Sequence, residues 1–180
     1  MKQDIIKEIE LGEGVTVSIS AGTVTVKGPK GEVIKNLIHP RITFEQQENK
    51  LLLKTLKATK REKTLIGAFE SHIKNMVKGV QEPFVYNMKI CSGHFPMNVQ
   101  MSNQELIVKN FLGEAVPRKV TICAGAEVKV KGDQIVITSP DKEAAGQTAA
   151  KIESLCRITN RDRRIFQDGL YITNKAGKKL

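Results

Sequence analysis

The chain has 180 residues, 40% of them apolar, no tryptophan and an aromatic share of 4%, which suffices for one ordinary domain or two small ones with aliphatic cores and argues against global disorder. Its 29 basic and 19 acidic residues leave a net charge of +10, which favours a polyanionic partner, a nucleic acid or an anionic membrane. Cys91, Cys123 and Cys156 are too scattered for a disulfide framework and fit a reducing cytosol; the opening Met1-Lys-Gln-Asp-Ile-Ile-Lys-Glu8 is too charged for a secretion signal, and no apolar run approaches the ~20 residues of a membrane helix.

Along the chain, Gly12-Glu13-Gly14 marks a turn and lacks the third glycine of a dinucleotide fingerprint. Val15, Val17 and Ile19 then alternate with polar residues, Ala21-Gly22 makes a turn, and Val24 and Val26 alternate on the return, which predicts a hairpin. Gly28-Pro-Lys-Gly31 reads as a second turn; Lys30 there is a candidate phosphate contact. Further strands are predicted over Arg41–Glu45 and Leu51–Thr55. A helix starts near Thr59-Lys-Arg-Glu62, a capping box, and carries Leu65, Ile66, Phe69, Ile73, Met76, Val77 and Val80 at helical spacing, with Gly79 suiting its stop. Lys57, Lys60, Arg61 and Lys63 cluster at its entry, where a helix N-terminus favours phosphate.

The plan then repeats. Residues 17–32 aligned on 99–114 give six identities in sixteen pairs: Val17/Val99, Ser20/Ser102, Val26/Val108, Lys27/Lys109, Gly31/Gly113 and Glu32/Glu114. Val99 and Met101, a turn at Asn103-Gln104, and Leu106 and Val108 form the second hairpin. Strands over Lys119–Cys123, Glu127–Val130 and Gln134–Thr138 follow, and a helix opening at Ser139-Pro140-Asp141, with Pro140 in its first turn, buries Ala145, Ala149, Ile152 and Cys156. The reading is therefore α+β: two similar domains from internal duplication, 1–82 and 83–180, each a small, mainly antiparallel sheet packed with one helix.

Candidate chemistry is sparse. Cys91 and His94 form a lone Cys-x-x-His with no second ligand pair, so no metal is expected. No nucleophile, base and orienting group come together in the sequence, and no cofactor loop is present, so neither an enzyme nor a small-molecule substrate is expected. The densest signal is the C-terminal run. After Cys156, Arg157, Arg161, Arg163, Arg164, Lys175, Lys178 and Lys179 face only Asp162 and Asp168. Arginine forks suit phosphate oxygens and guanine edges. Phe166 and Tyr171 are candidates for stacking on bases, with Phe166 expected to pack back on its own domain.

Four stretches, His72-Ile-Lys-Asn-Met-Val-Lys-Gly79-Val80, Gly93-His-Phe-Pro-Met-Asn-Val99, Asn110-Phe-Leu-Gly-Glu114 and Asn160-Arg-Asp-Arg-Arg-Ile-Phe-Gln-Asp-Gly-Leu-Tyr-Ile172, resemble the universal large-subunit ribosomal protein family numbered six in bacteria and nine in eukaryotes. The last stretch is similar to the archaeal and eukaryotic pattern. The resemblance spans essentially the whole chain. It implies a cytoplasmic structural protein, monomeric within the ribosome, that binds large-subunit ribosomal RNA near the sarcin–ricin loop and the factor-binding stalk base, beside other ribosomal proteins and away from any membrane. It implies that the second domain makes most of the RNA contact. Asn160, Arg161, Arg163 and Arg164 carry over as RNA-binding, with Lys109, His94 and Arg118 added from matched or adjacent segments. Residues 159–180 are a basic tail whose folding without RNA the sequence leaves open.

Three rival readings make different demands. A K-homology-like regulator of single-stranded RNA needs its Gly-x-x-Gly loop between two helices, whereas strands flank residues 28–31. An RNA-modifying enzyme needs convergent catalytic groups. A peripheral membrane protein needs an exposed apolar helix face beyond the core stripe.

Overall fold

The computed structural model describes residues 3–12, 14–47 and 50–180. The chain divides into two compact units, Met1–Pro83 and Phe84–Leu180.

In the first unit, strands β1 (Gln3–Glu10), β2 (Thr16–Ser20), β3 (Thr23–Gly28), β4 (Gly31–Asn36), β5 (Thr43–Gln47) and β6 (Lys50–Ala58) precede helix α1 (Lys60–Gln81). They form two antiparallel sheets, ordered β2-β3-β4 and β1-β6-β5. The inward residues are those that alternation selects: Val17, Val24, Val26, Val33, Leu51 and Leu53 are buried, packed with Ile66, Ile73 and Val80 of α1. The tight turn between β2 and β3 places both Ala21 and Gly22 at positive φ, +47° and +83°, the backbone a two-residue hairpin demands. At the other hairpin, Gly28 lies so close to α1 that a β-carbon would come within 2.7 Å of Val80 Cγ2, and the Lys30 amide donates to the Val80 carbonyl at 2.9 Å.

Helix α1 opens as the capping box predicts. The Thr59 amide donates to Glu62 Oε2 at 2.8 Å, and the Thr59 hydroxyl donates to the same oxygen. Arg41 Nη1 reaches Oε1 at 3.2 Å. These donors, the Thr59 hydroxyl and amide first, hold the Glu62 carboxyl down at about 2. The helix does not stop at Gly79, which is buried within it; it runs to Gln81 with Glu82 as C-cap. Pro83 follows, and a residue before proline is driven out of the helical region.

In the second unit, β7 (Phe84–Cys91), β8 (Asn98–Ser102), β9 (Glu105–Lys109), a 3-10 turn at Phe111–Gly113, β10 (Arg118–Thr121), β11 (Glu127–Lys131) and β12 (Gln134–Ser139) lead to α2 (Lys142–Leu155), then β13 (Gly169–Lys175) and β14 (Lys178–Lys179). The sheets are β10-β9-β8 and β11-β12-β7-β13-β14. Leu106, Val108, Phe111, Ile135, Ile137, Ala149, Ile152 and Leu170 form the core. Pro140 is not in the first turn of α2: Asp141 is the N-cap, its side chain accepting from the Glu143 amide at 2.9 Å, because a carboxylate there satisfies a helix donor that proline cannot.

The duplication is exact in order: β1-β6-β5 corresponds to β7-β12-β11, and each unit has a second three-stranded sheet and one helix. The reading as two similar α+β repeats, each with antiparallel strands and one helix, holds, and the strands of each repeat divide between two small sheets. Strands β1 and β4 of the first repeat and β7 of the second were also absent from the sequence reading. The largest correction concerns residues 159–180. They are not a tail: β13 pairs antiparallel with β7, from Gly169 against Cys91 to Lys175 against Tyr86, and Leu170 is 1% exposed. The alternation of Leu170 and Ile172 and the open edge of β7 give this segment a place in the fold without RNA. Glu13 of Gly12-Glu13-Gly14, and Met1 and Lys2 of the opening segment, lie outside the described residues; beside Glu13 the Val15 amide donates to the Gly12 carbonyl at 3.2 Å.

Candidate nucleic-acid interface

Three distant stretches of the second unit converge. Asp168, 1% exposed, accepts on Oδ1 from the Gly93 amide and from the His94 amide at 3.1 Å, and on Oδ2 from His94 Nδ1 at 2.8 Å. Burial alone raises a carboxyl's pKa, but the donors from His94 and Gly93 outweigh it and hold Asp168 below the ordinary range, so it is ionised at neutral pH. The His94 ring stacks on Phe166, centroids 4.7 Å apart. The Arg161 guanidinium lies 5.0 Å from the centroid of Phe166, within cation–π range. A buried anion, an imidazole, a phenyl ring and a guanidinium therefore form one column ending in the arginine loop. Phe166 packs on its own unit, while Asp168 braces His94 and not an arginine.

The loop has its own framework. Asn160 is at φ +58°, a left-handed conformation that Asn tolerates. Asp162 Oδ1 accepts from the Arg164 amide at 2.9 Å, and Oδ2 from Arg164 Nη2 at 2.7 Å. The Asp162 carbonyl accepts from the Phe166 amide at 2.9 Å. Arg157, Asn160, Arg161, Arg163 and Arg164 are all exposed; even paired, the Arg164 side chain is 90% exposed. These surface pairs add little stability but fix where the positive charge points.

Arg118 is differently employed. Its Nε and Nη2 bond Glu114 at 2.8 and 2.6 Å, and Nη1 donates to the Leu155 carbonyl at 2.7 Å. Its guanidinium covers the Phe111 ring at 4.3 Å. It thus satisfies the C-terminal end of α2, where a cation is favoured, and has little left to offer RNA. The Arg118 hydrogen bonds, and the nearby Arg161 charge, hold Glu114 below the ordinary carboxylate range. Asn110 Nδ2 donates to the Pro96 carbonyl at 3.0 Å, tying the Asn110–Glu114 turn to the Gly93–Val99 loop; Lys109 is exposed beside it, opposite Asn98 in register.

The remaining candidates are elsewhere. Lys175, Lys178 and Lys179 are exposed on the β13–β14 hairpin, at the opposite end of β13 from Gly169, roughly 20 Å along the strand. In the first unit Lys60, Arg61 and Lys63 are exposed in the opening turn of α1. Lys30, also exposed, is docked at the other end of that helix, about 30 Å away by helical rise. Lys89 and Ser92, which border the arginine loop, escaped the sequence reading because nothing adjacent to them is basic.

Cys91 ends β7 and His94 is committed to Asp168, so the Cys-x-x-His spacing is structural. Among the described residues no group of three or more His, Cys, Asp and Glu is arranged to hold a metal ion. None of the helices described is long and apolar enough to cross a membrane.

The comparisons with known proteins place this duplicated α+β scaffold among the ribosomal proteins. The family model described as Ribosomal protein L6 matches residues 11–83 and 95–169, one stretch in each unit, and the second stretch stops where β13 begins. The chain belongs to the ribosomal protein L6 family. Relatives named large ribosomal subunit protein uL6 are similar to it over nearly their whole length: that of Methanocella arvoryzae is 44% identical over 98% of this chain and 100% of its own length, that of Nanoarchaeum equitans 47% identical over 100% and 98%, and that of Methanosarcina mazei 43% identical over 98% and 100%. A member of this family is a structural protein and not an enzyme.

Proposed function

We propose that this chain is a structural constituent of the large ribosomal subunit in the cytoplasm. It binds large-subunit ribosomal RNA as a monomer near the sarcin–ricin loop and the base of the factor-binding stalk, beside other ribosomal proteins. The names of the relatives support the subunit, and the family resemblance supports the location. The observation that carries RNA binding is the chain of contacts from buried Asp168 through His94 and Phe166 to Arg161, which anchors the loop that exposes Arg161, Arg163 and Arg164, with Arg157 bordering the same cleft as Arg163. Cationic side chains neutralise phosphates where RNA helices crowd and release condensed counterions. Folded RNA is gripped by shape and backbone, so a preformed arginine loop holds a tertiary RNA arrangement without reading a long sequence. Lys109, Lys175, Lys178 and Lys179 widen the cationic surface of the second unit, and Lys30, Lys60, Arg61 and Lys63 offer separate contacts on the first.

The test is reversal of Arg161, Arg163 and Arg164 to glutamate together. Because all three are exposed, the variant folds; it fails to enter large subunits in sucrose gradients. Incorporation at the wild-type level refutes the assignment.

A further inference from the structure

We propose that the second unit holds a site for one unpaired nucleotide of the RNA, its base stacked on Tyr171 and its flanking phosphates on Lys89, Arg163 and Arg157. The proposal rests on the RNA-binding reading above and specifies what that surface recognises beyond the backbone.

Tyr171 is a built platform. A β-carbon at Gly169 would meet Cε2, Cζ and Oη of Tyr171 at 3.2 Å, so one side of the ring lies against glycine backbone, which fixes its orientation. The residue is still 37% exposed. Tyr171 and Arg163 together border two clefts. One, of about 770 Å³, is completed by Lys89, Ser92 and Gln167; the other, of about 370 Å³, by Ser154 and Arg157. Lys89 is directly opposite Tyr171 across the β7–β13 ladder, so their side chains rise on the same face about 5 Å apart. The ring thus has a cation beside it on β7 and two arginines at the loop.

Two acidic groups, Glu153 and Asp133, border the clefts against the three cations Lys89, Arg157 and Arg163. Glu153 Oε1 is occupied by the Ile172 amide at 3.2 Å, and Asp133 is at the rim of the larger cleft. Among the described residues Lys89 and Arg163 have no ion-pair partner, so their charges are open to phosphate. Burial, then the nearby Cys91, pushes the phenol up, so the stacking ring stays neutral.

A paired A-form helix offers such a surface phosphates, 2′-hydroxyls and base edges but no base face, because its bases are stacked inside. An oriented, half-exposed ring flanked by cations suits a base that has left the stack, and polar groups on both sides of the ring, Gln167 and Ser92 on one and Ser154 on the other, can reach its edges.

The protein supplies its own reporter. It has no tryptophan and two tyrosines, and Tyr86 is 7% exposed within the core. In the full chain carrying Tyr86→Phe, emission comes from Tyr171. Titration with a short RNA hairpin bearing one bulged adenosine is expected to quench that emission, and the same hairpin without the bulge is expected to bind without quenching. The bulged hairpin binds about tenfold more tightly; Tyr171→Ala removes that preference and Tyr171→Phe keeps it. Should Tyr86→Phe prove unstable, the unmodified chain read by difference against Tyr171→Phe gives the same signal. Equal affinity for the two hairpins with unchanged emission overturns the nucleotide site and leaves backbone binding standing. Failure to bind either hairpin or ribosomal RNA overturns the RNA reading itself.

Discussion

Two carboxylates show how single side chains set the site and its frame. Asp168 is buried and meets three donors from Gly93 and His94. Asp168→Asn places an amide among donors and leaves one of them unmet, at a cost of about 1–3 kcal/mol, measurable by urea unfolding at neutral pH. Asp168→Asn is also expected to weaken RNA binding, since Phe166 and Arg161 lose their footing. Glu62 gives a pH test with a definite sign. Its folded value, about 2, is below the ordinary ~4.3 of an unfolded chain, so its contribution is fully present above that ordinary value and is lost as pH falls toward the folded one. The stability gap between wild type and Glu62→Gln is therefore expected to be widest at pH 7, to narrow below about pH 4.3 and to close near pH 2. A gap independent of pH contradicts the capping assignment. The residue-level pattern was partly legible: Thr59 and Glu62 are three apart, so the box is readable from the chain. Asp168 and His94 are 74 residues apart and have no local signature of their pairing. Arg118 looks like a phosphate ligand in sequence because its true partners, Glu114, Phe111 and Leu155, meet it only in space.

At the scale of elements, the helices were readable and the sheets only in part. Ile66, Phe69, Ile73, Met76, Val77 and Val80 repeat at helical spacing, and no tertiary knowledge is needed to find α1. In β1, by contrast, charged residues surround the isoleucines, and Ile9 is the one buried in the strand, so its alternation is masked. β13 was hidden for another reason: seven residues after a run of arginines read as a basic ending until β7 supplies an edge to pair with. That edge also separates the two repeats, since β7 carries β13 where, among the described residues, β1 pairs only with β6. Leu170→Ala is expected to cost about 2–5 kcal/mol and, in hydrogen exchange, to loosen β13 and the arginine loop ahead of the β11–β12 hairpin. Gly28→Ala drives a β-carbon into Val80, where backbone is also near at 3.0 Å, and is expected to cost about 1–3 kcal/mol with a lowered midpoint in thermal melts. A neutral result there means the β3–β4 turn is not docked on α1.

For the whole molecule, duplication supplies two aliphatic cores of the same design, and the segment after α2 adds the arginine loop and β13 to the second. The net charge of +10 announces a polyanion but does not say where it binds. The fold joins three motifs that are separate in sequence: Asp168 ties Asn160–Gly169 to Gly93–Val99, and Asn110 ties Asn110–Glu114 to the same loop. The central claim is electrostatic, so its most direct test is the salt dependence of binding to purified large-subunit ribosomal RNA. Wild-type affinity is expected to fall linearly with salt on logarithmic axes, and each of Arg161→Ala, Arg163→Ala and Arg164→Ala to lessen the slope by about one. Binding that ignores salt, or a slope untouched when all three arginines are replaced, contradicts the account.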